Sequence, residues 1–256
     1  MKKIIKKIFK KFGFEIKKKS DENEIKELTF DQIYKYLLKE KNLIIFDIGA
    51  NEGQSIERFL KINNNSSIHS FEPDKYTYNL LKEKYQNYPN IKLNNIAIGN
   101  QKENKIFNVA AHSRNSSFLD LRANTNWIKL RSKELGISPD NYIKEKIKVT
   151  IDTIDSYCEE NSINHIDVMK IDTQLFEQEV LIGSKKMIES QKIDAIELEI
   201  VFSTTYEKYL CLSDLEKYLV PNNYRFSAIR LNNNNIFSGS IFFANILYLN
   251  KTKFNI

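Results

Sequence analysis

Residues 43–53, Leu-Ile-Ile-Phe-Asp-Ile-Gly-Ala-Asn-Glu-Gly, constrain the fold of this chain more than any other stretch. The first four residues form an apolar run, typical of a strand buried on both faces of a parallel sheet. Gly49, Asn51 and Gly53 follow at alternate positions and tolerate the left-handed backbone of a tight turn, and a helix is predicted from Ser55. Strand, small-residue turn and helix in succession are typical of a corner that binds a nucleotide-like ligand.

The pattern of this turn indicates which ligand binds. It reads D-x-G-x-N-x-G from Asp47 to Gly53, whereas a dinucleotide-binding turn reads G-x-G-x-x-G. The Asp47 carboxylate would repel a pyrophosphate, but it suits a ligand with a cationic amino-acid tail, such as S-adenosylmethionine. A second acid, Glu72, ends the next predicted strand, where such folds hydrogen-bond ribose hydroxyls. The turn therefore favours S-adenosylmethionine over NAD, and disfavours an NAD-dependent oxidoreductase.

Strands and helices are predicted to alternate along most of the chain. The predicted strands cover residues 43–46, 68–71, 91–98, 166–171 and 194–200. The predicted helices cover residues 30–40, 55–60, 74–85, 153–158, 176–188 and 212–219. This alternation predicts a doubly wound α/β sheet, closed by a hairpin at 224–230 and 241–249. Residues 105–148 interrupt it with a predicted strand and helix, and we expect this insertion to act as a lid or substrate loop.

Length and composition indicate a globular chain. Its 256 residues, 41% of them hydrophobic, suffice for one large domain or a domain with an appendage. The two cysteines, Cys158 and Cys211, suggest a reducing compartment and no disulfide framework. The three histidines are scattered and lack the spacing of a metal site. Asp172 and nearby carboxylates could hold Mg²⁺, but nothing in the sequence requires it, so no metal is predicted.

The net charge of +6 is concentrated in the first 19 residues, which carry nine lysines and one acid. That segment has a charge of +8 and the rest of the chain −2, which argues against a nucleic-acid-binding surface on the body of the protein. Five apolar residues in the segment recur at helical spacing. They are Ile4, Ile5, Ile8, Phe9 and Phe12.

This spacing predicts a basic amphipathic arm over residues 1–20 that contacts an anionic membrane surface. The alternative is a solvated helix that docks on its own domain, residues 21–256. No apolar stretch is long enough for a signal peptide or a membrane span. We therefore expect a cytoplasmic protein, peripheral at the inner face of the membrane, with an oligomeric state that the sequence leaves open.

Seven short motifs occur in a family-specific order. They are F-D-I-G-A-N-E-G (46–53), S-F-E-P (70–73), N-I-A-I-G (95–99), N-S-S-F (115–118), T-I-D (153–155), D-V-M-K-I-D-T-Q (167–174) and E-V-L-I-G (179–183). With them the chain resembles the FkbM-type methyltransferases, a branch of the class I S-adenosylmethionine-dependent enzymes. There is one departure, because Leu175 stands where the family commonly has Gly. A side chain there would narrow the pocket, shift the turn or weaken catalysis.

The resemblance implies a three-layer Rossmann-like fold, with a mostly parallel seven-stranded sheet and a C-terminal antiparallel hairpin. It implies methyl transfer from S-adenosylmethionine to an oxygen, usually a hydroxyl of a sugar or other secondary metabolite. The acceptor stays open between a glycan or glycolipid and a small soluble metabolite or peptide. A non-catalytic protein that binds S-adenosylmethionine is a further alternative. The residues expected to bind the cofactor are Asp47, Gly49, Ala50, Asn51, Gly53, Glu72, Pro73, Asn95, Ile96 and Ala97.

The catalytic candidates lie beyond the cofactor corner. In the expected strand order 3-2-1-4-5, Lys170 and Asp172 end the strand beside the first one, next to the methyl group. Asp172 is the first candidate for a base or acceptor-orienting group, and its alternative role is a helix N-cap. Lys170 would lower the hydroxyl pKa or simply pair with Asp172. His112 is a second candidate base. The residues expected to contact the acceptor are Arg114, Ser116, Ser117 and Glu199.

Overall fold

The computed structural model describes residues 28–38, 42–122, 125–202, 205–232 and 241–254. The predicted basic arm lies outside these ranges, as does most of the turn of the closing hairpin. None of the helices within them combines the length and apolarity needed to cross a membrane.

The described residues form ten strands and nine α-helices, numbered here in chain order. The strands are β1 Ile44–Ile48, β2 Ser67–Phe71, β3 Ile91–Asn94, β4 Ala97–Ile98, β5 Glu103–Ala110, β6 Ile143–Asp152, β7 Ile166–Ile171, β8 Ile193–Val201, β9 Tyr224–Asn232 and β10 Phe243–Asn250. The helices are α1 Phe30–Leu37, α2 Gln54–Ile62, α3 Lys75–Tyr85, α4 Asn126–Leu135, α5 Ile154–Glu160, α6 Glu177–Ile182, α7 Lys185–Glu189, α8 Leu212–Leu219 and α9 Lys251–Phe254.

Seven strands form the main sheet in the order β3-β2-β1-β7-β8-β10-β9. The first five are parallel to one another, and β10 runs antiparallel to both of its neighbours. The predicted strand order and the closing hairpin are confirmed. The register aligns Asp47 with Lys170, and Lys170 with Glu197, across the three central strands. This register brings charged side chains from distant parts of the sequence together near the carboxyl ends of the strands.

Helices cover both faces of this sheet and make three layers. On one face α1 and α2 pack through Tyr34 and Phe59 against β1, which contributes Ile45. On the other face, α5 and α6 pack through Ile154 and Val180. All of these side chains are at most 1% exposed, and burying each one stabilises the fold by about 1.5–3 kcal/mol. The two apolar faces explain why the central strands read as continuous hydrophobic runs.

The predicted third strand, residues 91–98, is wrong in its extent. The strand is interrupted at residues 95–96. Before them β3 ends in the main sheet, and after them β4 begins in a second sheet of order β4-β6-β5. The sequence analysis missed β6 (Ile143–Asp152). Most of its exposed positions carry charged side chains, so the segment resembles a polar loop in the sequence and its strand periodicity is weak. The predicted insertion contains the predicted strand as β5 and the predicted helix as α4, and part of β6, which pairs with β5 in a hairpin.

Two further boundaries differ from the prediction. The first strand runs through Asp47 to Ile48 instead of ending at Phe46, because both residues are buried and paired with β7. The helix predicted over 176–188 is two helices, α6 and α7, interrupted at Gly183. A Cβ on Gly183 would lie 1.9 Å from the carbonyl oxygen of Gly99, so the backbone approaches too closely there for any other residue.

Candidate active site

A cavity of about 630 Å³ opens at the carboxyl ends of β1, β2, β7 and β8. Its volume lies in the usual range for a small-molecule site, and its position is where doubly wound sheets bind ligands. Twelve of the predicted site residues line it. They are Gly49, Ala50, Asn51, Glu72, Pro73, Ala97, His112, Arg114, Ser116, Lys170, Asp172 and Glu199. The other five, Asp47, Gly53, Asn95, Ile96 and Ser117, are absent from the lining.

The turn after β1 has the predicted left-handed conformation, with φ of +86° at Gly49 and 45° at Asn51. A Cβ on Gly49 would lie 2.0 Å from the Asp172 carbonyl oxygen. The close approach of the Asp172 backbone therefore excludes any side chain at position 49, whether or not a ligand is bound. Gly53 is the N-cap of α2 with φ of +85°, and a Cβ there would meet the Tyr85 ring. It supports the turn from behind.

Glu72 joins two segments of the cavity wall. Its Oε2 accepts a hydrogen bond from the Asn51 N–H and its Oε1 from the Asp74 N–H, both at 2.9 Å. Burial raises the pKa of this carboxyl to about 7, against the lowering by those two hydrogen bonds. Asn95 holds the segment in place, because its Nδ2 donates to the carbonyl oxygens of Glu72 and Pro73. The Glu72 oxygens retain lone pairs that face the cavity, as ribose hydroxyls would require.

Asp47 lies under the turn with its side chain fully buried. Neither of its carboxylate oxygens accepts a hydrogen bond from any described residue, and Lys170 Nζ lies 3.7 Å from Oδ1. Burial raises the pKa of Asp47, and the Lys170 charge opposes that rise. The Glu72 oxygens and the cavity volume fit S-adenosylmethionine, with Glu72 for the ribose. Asp47, which was predicted to bind the cationic tail, is fully buried and absent from the cavity lining.

Lys170 and Asp172 lie together at the end of β7, as predicted. Lys170 Nζ is 3.2 Å from Asp172 Oδ2, and the Asp172 side chain is 30% exposed, toward the cavity. The alternative role of Asp172 as a helix N-cap is wrong. The following helix, α6, begins after Phe176, and the Thr173 N–H donates instead to Glu177 Oε1.

Asp172 and Glu199 form an acid pair with unequal pKa values. Burial raises the pKa of Asp172, but the Lys170 charge and hydrogen bonds from Glu199, Lys170 and Gln174 hold it below its usual value. Burial and the Asp172 charge raise the pKa of Glu199 well above its usual value. Of the two, Asp172 therefore loses its proton more readily and is the carboxylate of the pair. The cavity thus contains one oriented carboxylate that can accept a hydrogen bond.

Two residues that the sequence analysis did not select hold this pair. Gln174 Nε2 donates to Asp172 Oδ1 at 3.2 Å and to Glu199 Oε2 at 2.6 Å. The Tyr206 hydroxyl lies 3.1 Å from Gln174 Oε1, to which it donates, and Ser117 Oγ donates to the Gln174 carbonyl oxygen at 2.7 Å. Gln174 ends the motif D-V-M-K-I-D-T-Q, and its place in this motif could have identified it as a candidate site residue. Tyr206 stands outside the seven motifs, in a tail that also resembles the family.

The turn after β7 keeps a glycine-like conformation although it has no glycine. Gln174 and Leu175 have φ of 54° and 72°, in the left-handed region that disfavours side chains. Leu175 is 2% exposed and packs in the hydrophobic core, and it is absent from the cavity lining. It therefore neither narrows the pocket nor changes the shape of the turn.

The predicted acceptor loop surrounds His112. Burial and the charges of Arg114 and Arg131 lower the pKa of His112, so that its imidazole is neutral near pH 7. Ser116 Oγ accepts a hydrogen bond from the Ala110 N–H. The Ser117 hydroxyl donates its hydrogen bond to the Gln174 carbonyl oxygen, and Ser117 does not line the cavity. Among these residues, His112 and Arg114 keep polar atoms available to a ligand, whereas the two serines act mainly in shaping the loop.

An aromatic wall that the sequence did not predict faces this loop. Trp127 and Arg131 lie one turn apart on α4, and both line the cavity. The Trp127 ring is stacked with Phe242 at an interplanar angle of 13° and a centroid distance of 6.4 Å. Phe118 and Phe176 add a second aromatic pair, with centroids 4.5 Å apart. The cavity lining therefore includes two aromatic pairs, with Arg131 beside Trp127 on α4.

A sheet of this strand order, with an acid-and-glycine turn and a second acid at the end of β2, defines a class I S-adenosylmethionine-dependent methyltransferase. A family model described as the methyltransferase FkbM domain matches residues 47–228. The chain belongs to the FkbM methyltransferase family, and its cofactor is S-adenosylmethionine.

The similar proteins are distant in sequence. The 2-O-methyltransferase NoeI of Sinorhizobium fredii (strain NBRC 101917 / NGR234) is 23% identical over 154 residues, which cover 59% of this chain and 61% of that protein. The chain thus aligns with less than two thirds of that relative's length. Magnesium protoporphyrin IX methyltransferase (ChlM) of Synechocystis PCC 6803 is 9% identical, with a TM-score of 0.45. The superposition covers 97% of this chain and 96% of that one. TrmK of M. capricolum is 14% identical, with coverages of 87% and 69% and a TM-score of 0.41.

Proposed function

We propose that this methyltransferase transfers its methyl group to the oxygen of a hydroxyl on a glycan, glycolipid or other secondary metabolite. The observation that carries the proposal is the Asp172 carboxylate, which is ionised, oriented by Lys170 and Gln174, and turned toward the cavity. A hydroxyl acceptor has a proton to lose, and a fixed carboxylate is a group that can accept it. The similarity to a 2-O-methyltransferase supports oxygen as the acceptor atom.

Each residue has a separable role in this reaction. S-adenosylmethionine, when bound, supplies a methyl carbon that its sulfonium makes electrophilic. Asp172 accepts a hydrogen bond from the acceptor hydroxyl, fixes its oxygen in line and takes up its proton as the new bond forms. Lys170 stabilises the carboxylate beforehand, and Gln174 with Glu199 fixes its orientation. The aromatic wall of Trp127 and Phe242 offers a flat apolar surface to the ring of the acceptor.

The test replaces Asp172 by Asn, which keeps the size of the side chain. We expect methyl transfer, measured over a panel of sugars, glycolipid extracts and small hydroxylated metabolites, to fall by ~10²–10⁴-fold. S-adenosylhomocysteine affinity should stay within a few-fold of the parent value, because Asp172 lies away from the ribose site at Glu72. Asp120→Asn is the matched control, since Asp120 is an exposed partner of Lys146 on the second sheet.

Near-full activity of Asp172→Asn would contradict the role of this carboxylate and make His112 the next base to replace. A pH–rate profile separates the two. Burial and the Arg114 and Arg131 charges lower the pKa of His112 below its ordinary value. A His112 base would therefore lose activity as the pH falls through this lowered pKa. An Asp172 base, with its depressed pKa, would keep activity down to much lower pH. Cofactor binding without turnover of any acceptor would favour the non-catalytic alternative.

A further inference from the structure

A second polar cluster lies at the opposite ends of the strands that carry the active site. His165 precedes β7, Asp167 is the second residue of β7, and Asp194 is the second residue of β8. The strand register places the two aspartates side by side on the same face of the sheet. Both are buried, with exposures of 5% and 1%. Two adjacent buried carboxylates repel each other unless a cation lies between or beside them.

The atoms of this cluster face one another without forming hydrogen bonds. His165 Nε2 lies 3.1 Å from Asp194 Oδ2 and 3.8 Å from Asp167 Oδ1. His165 Nε2 and Asp194 Oδ2 are nevertheless buried atoms with no hydrogen-bond partner among the described residues. One ligand-type atom from each of the three side chains lies within 4.8 Å of the others. Short separation without hydrogen-bond geometry is the arrangement of ligand atoms that point to a common centre.

The 3.1 Å separation is close to that between two ligands of a metal ion, and the 3.8 Å separation is somewhat longer. Zinc binds nitrogen and oxygen ligands at about 2.0–2.2 Å with tetrahedral geometry, so that two of its ligands are about 3.3 Å apart. The second oxygen of Asp167, Oδ2, accepts a hydrogen bond from the Ile44 N–H at 2.8 Å. This contact fixes the carboxylate and leaves Oδ1 turned toward His165, as the outer partners of metal ligands do.

One cation already lies near the cluster. Lys253 Nζ, on the short C-terminal helix α9, is 3.6 Å from Asp194 Oδ2, and its side chain is 41% exposed. A flexible lysine at the rim can leave for solvent without disturbing the fold. It would then compete with a metal for the same carboxylate.

We propose that His165, Asp167 and Asp194 bind a divalent transition-metal ion such as Zn²⁺, through Nε2 and one oxygen of each carboxylate, and that Lys253 pairs with Asp194 when the metal is not bound. Neutral imidazole and two carboxylates balance the charge of such an ion. The site is at the amino ends of β7 and β8, and the cavity is at their carboxyl ends. The bound ion therefore fixes the two strands to each other and takes no part in methyl transfer.

The test uses the full-length, tag-free protein after removal of metal with a chelator. Zn²⁺ is titrated by calorimetry, and the melting temperature Tm is measured with and without the ion. At a hundredfold excess over the dissociation constant, Tm should rise by roughly 5–10 °C for a chain of this size, and EDTA should reverse the rise. Co²⁺ should give the visible absorption bands of a four- or five-coordinate site.

Three variants make the test specific. His165→Ala should abolish the Tm rise and the Co²⁺ bands, and it should fold because His165 is 35% exposed. Lys253→Ala should tighten Zn²⁺ binding several-fold, because it removes the competing cation. Cys211→Ser should change nothing, which excludes the exposed thiol as the binding group.

Several outcomes would overturn the proposal. The first is the absence of any Tm rise or binding heat with Zn²⁺ and Co²⁺ in the parent protein. The second is saturable binding that survives His165→Ala. Weaker binding in Lys253→Ala would also contradict it, since that result would make the lysine a supporting group. These readouts need no acceptor, so they stand or fall apart from the proposed methyl transfer.

Discussion

Glu72 is a single residue whose environment sets a pH dependence for the whole domain. A carboxyl on a free chain has a pKa near 4.5, and burial raises that of Glu72 to about 7. The neutral form is thus favoured in the folded state. The folded protein loses stability as the pH rises from about 4.5 to 7, and the loss is complete above the folded pKa.

Replacement of Glu72 by Gln should remove this dependence. The shift of about 2.5 pKa units corresponds to at most roughly 3 kcal/mol. The free energy of unfolding of Glu72→Gln, relative to that of the parent, should therefore rise by about 1–3 kcal/mol from pH 5 to pH 8. Urea unfolding at four pH values measures the gap. The exposed Glu52→Gln variant serves as control and should run parallel to the parent. A gap that stays constant for Glu72→Gln would contradict the raised pKa.

At the scale of the element, the turn over residues 172–176 connects the core with the Asp172 carboxylate. Ser117, Tyr206 and Glu177 bind it from three directions. These contacts offset the strain of two consecutive left-handed residues, each costing on the order of 1–3 kcal/mol. The carboxyl group of Asp172 is thereby fixed at the cavity wall.

Leu175 allows backbone strain and core packing to be measured against each other. Leu175→Gly relieves the left-handed φ of 72° but deletes a side chain buried to 2%, and such deletions cost about 2–5 kcal/mol. Packing should prevail, with a net loss of about 1–3 kcal/mol and a Tm lower by roughly 2–10 °C.

Leu175→Ala is the matched control, because it loses nearly the same packing and keeps a Cβ in the left-handed region. Glycine should be the more stable of the two variants by roughly 0.5–1 kcal/mol, against the usual order of these residues. If thermal unfolding shows alanine to be the more stable, the strain at this turn is negligible.

At the scale of the whole molecule, charge is separated between a basic arm and a slightly acidic body. The arm has a charge of +8 and precedes the described residues. Each lysine near an anionic surface contributes about 1 kcal/mol to binding. We therefore expect several lysines together to bring the protein to an anionic membrane surface.

Deletion of residues 1–19 should therefore abolish co-sedimentation with phosphatidylserine vesicles and leave S-adenosylhomocysteine binding unchanged. The full chain should sediment with these vesicles at low salt, dissociate at high salt, and remain in the supernatant with neutral phosphatidylcholine vesicles. Equal sedimentation of the truncated and full chains would show that the arm has no such role.

The fold class, the strand order and the left-handed conformation of the corner after β1 are predictable from the sequence alone. The residues of that corner, Asp47 to Gly53 and Glu72, lie within single strand–turn units, so their patterns are local and periodic. The strand β6 escaped prediction because its exposed positions carry charge, and the break between β3 and β4 escaped because pairing with β6 decides it.

Which distant side chains become neighbours depends on the tertiary fold. Gln174 and Tyr206 are separated by 32 residues, and Trp127 meets Phe242 across two different segments. The pairing of Asp167 with Asp194 depends on the register of β7 with β8. Register and packing result from burying the whole sheet at once, and no local pattern in the chain records which side chains become neighbours.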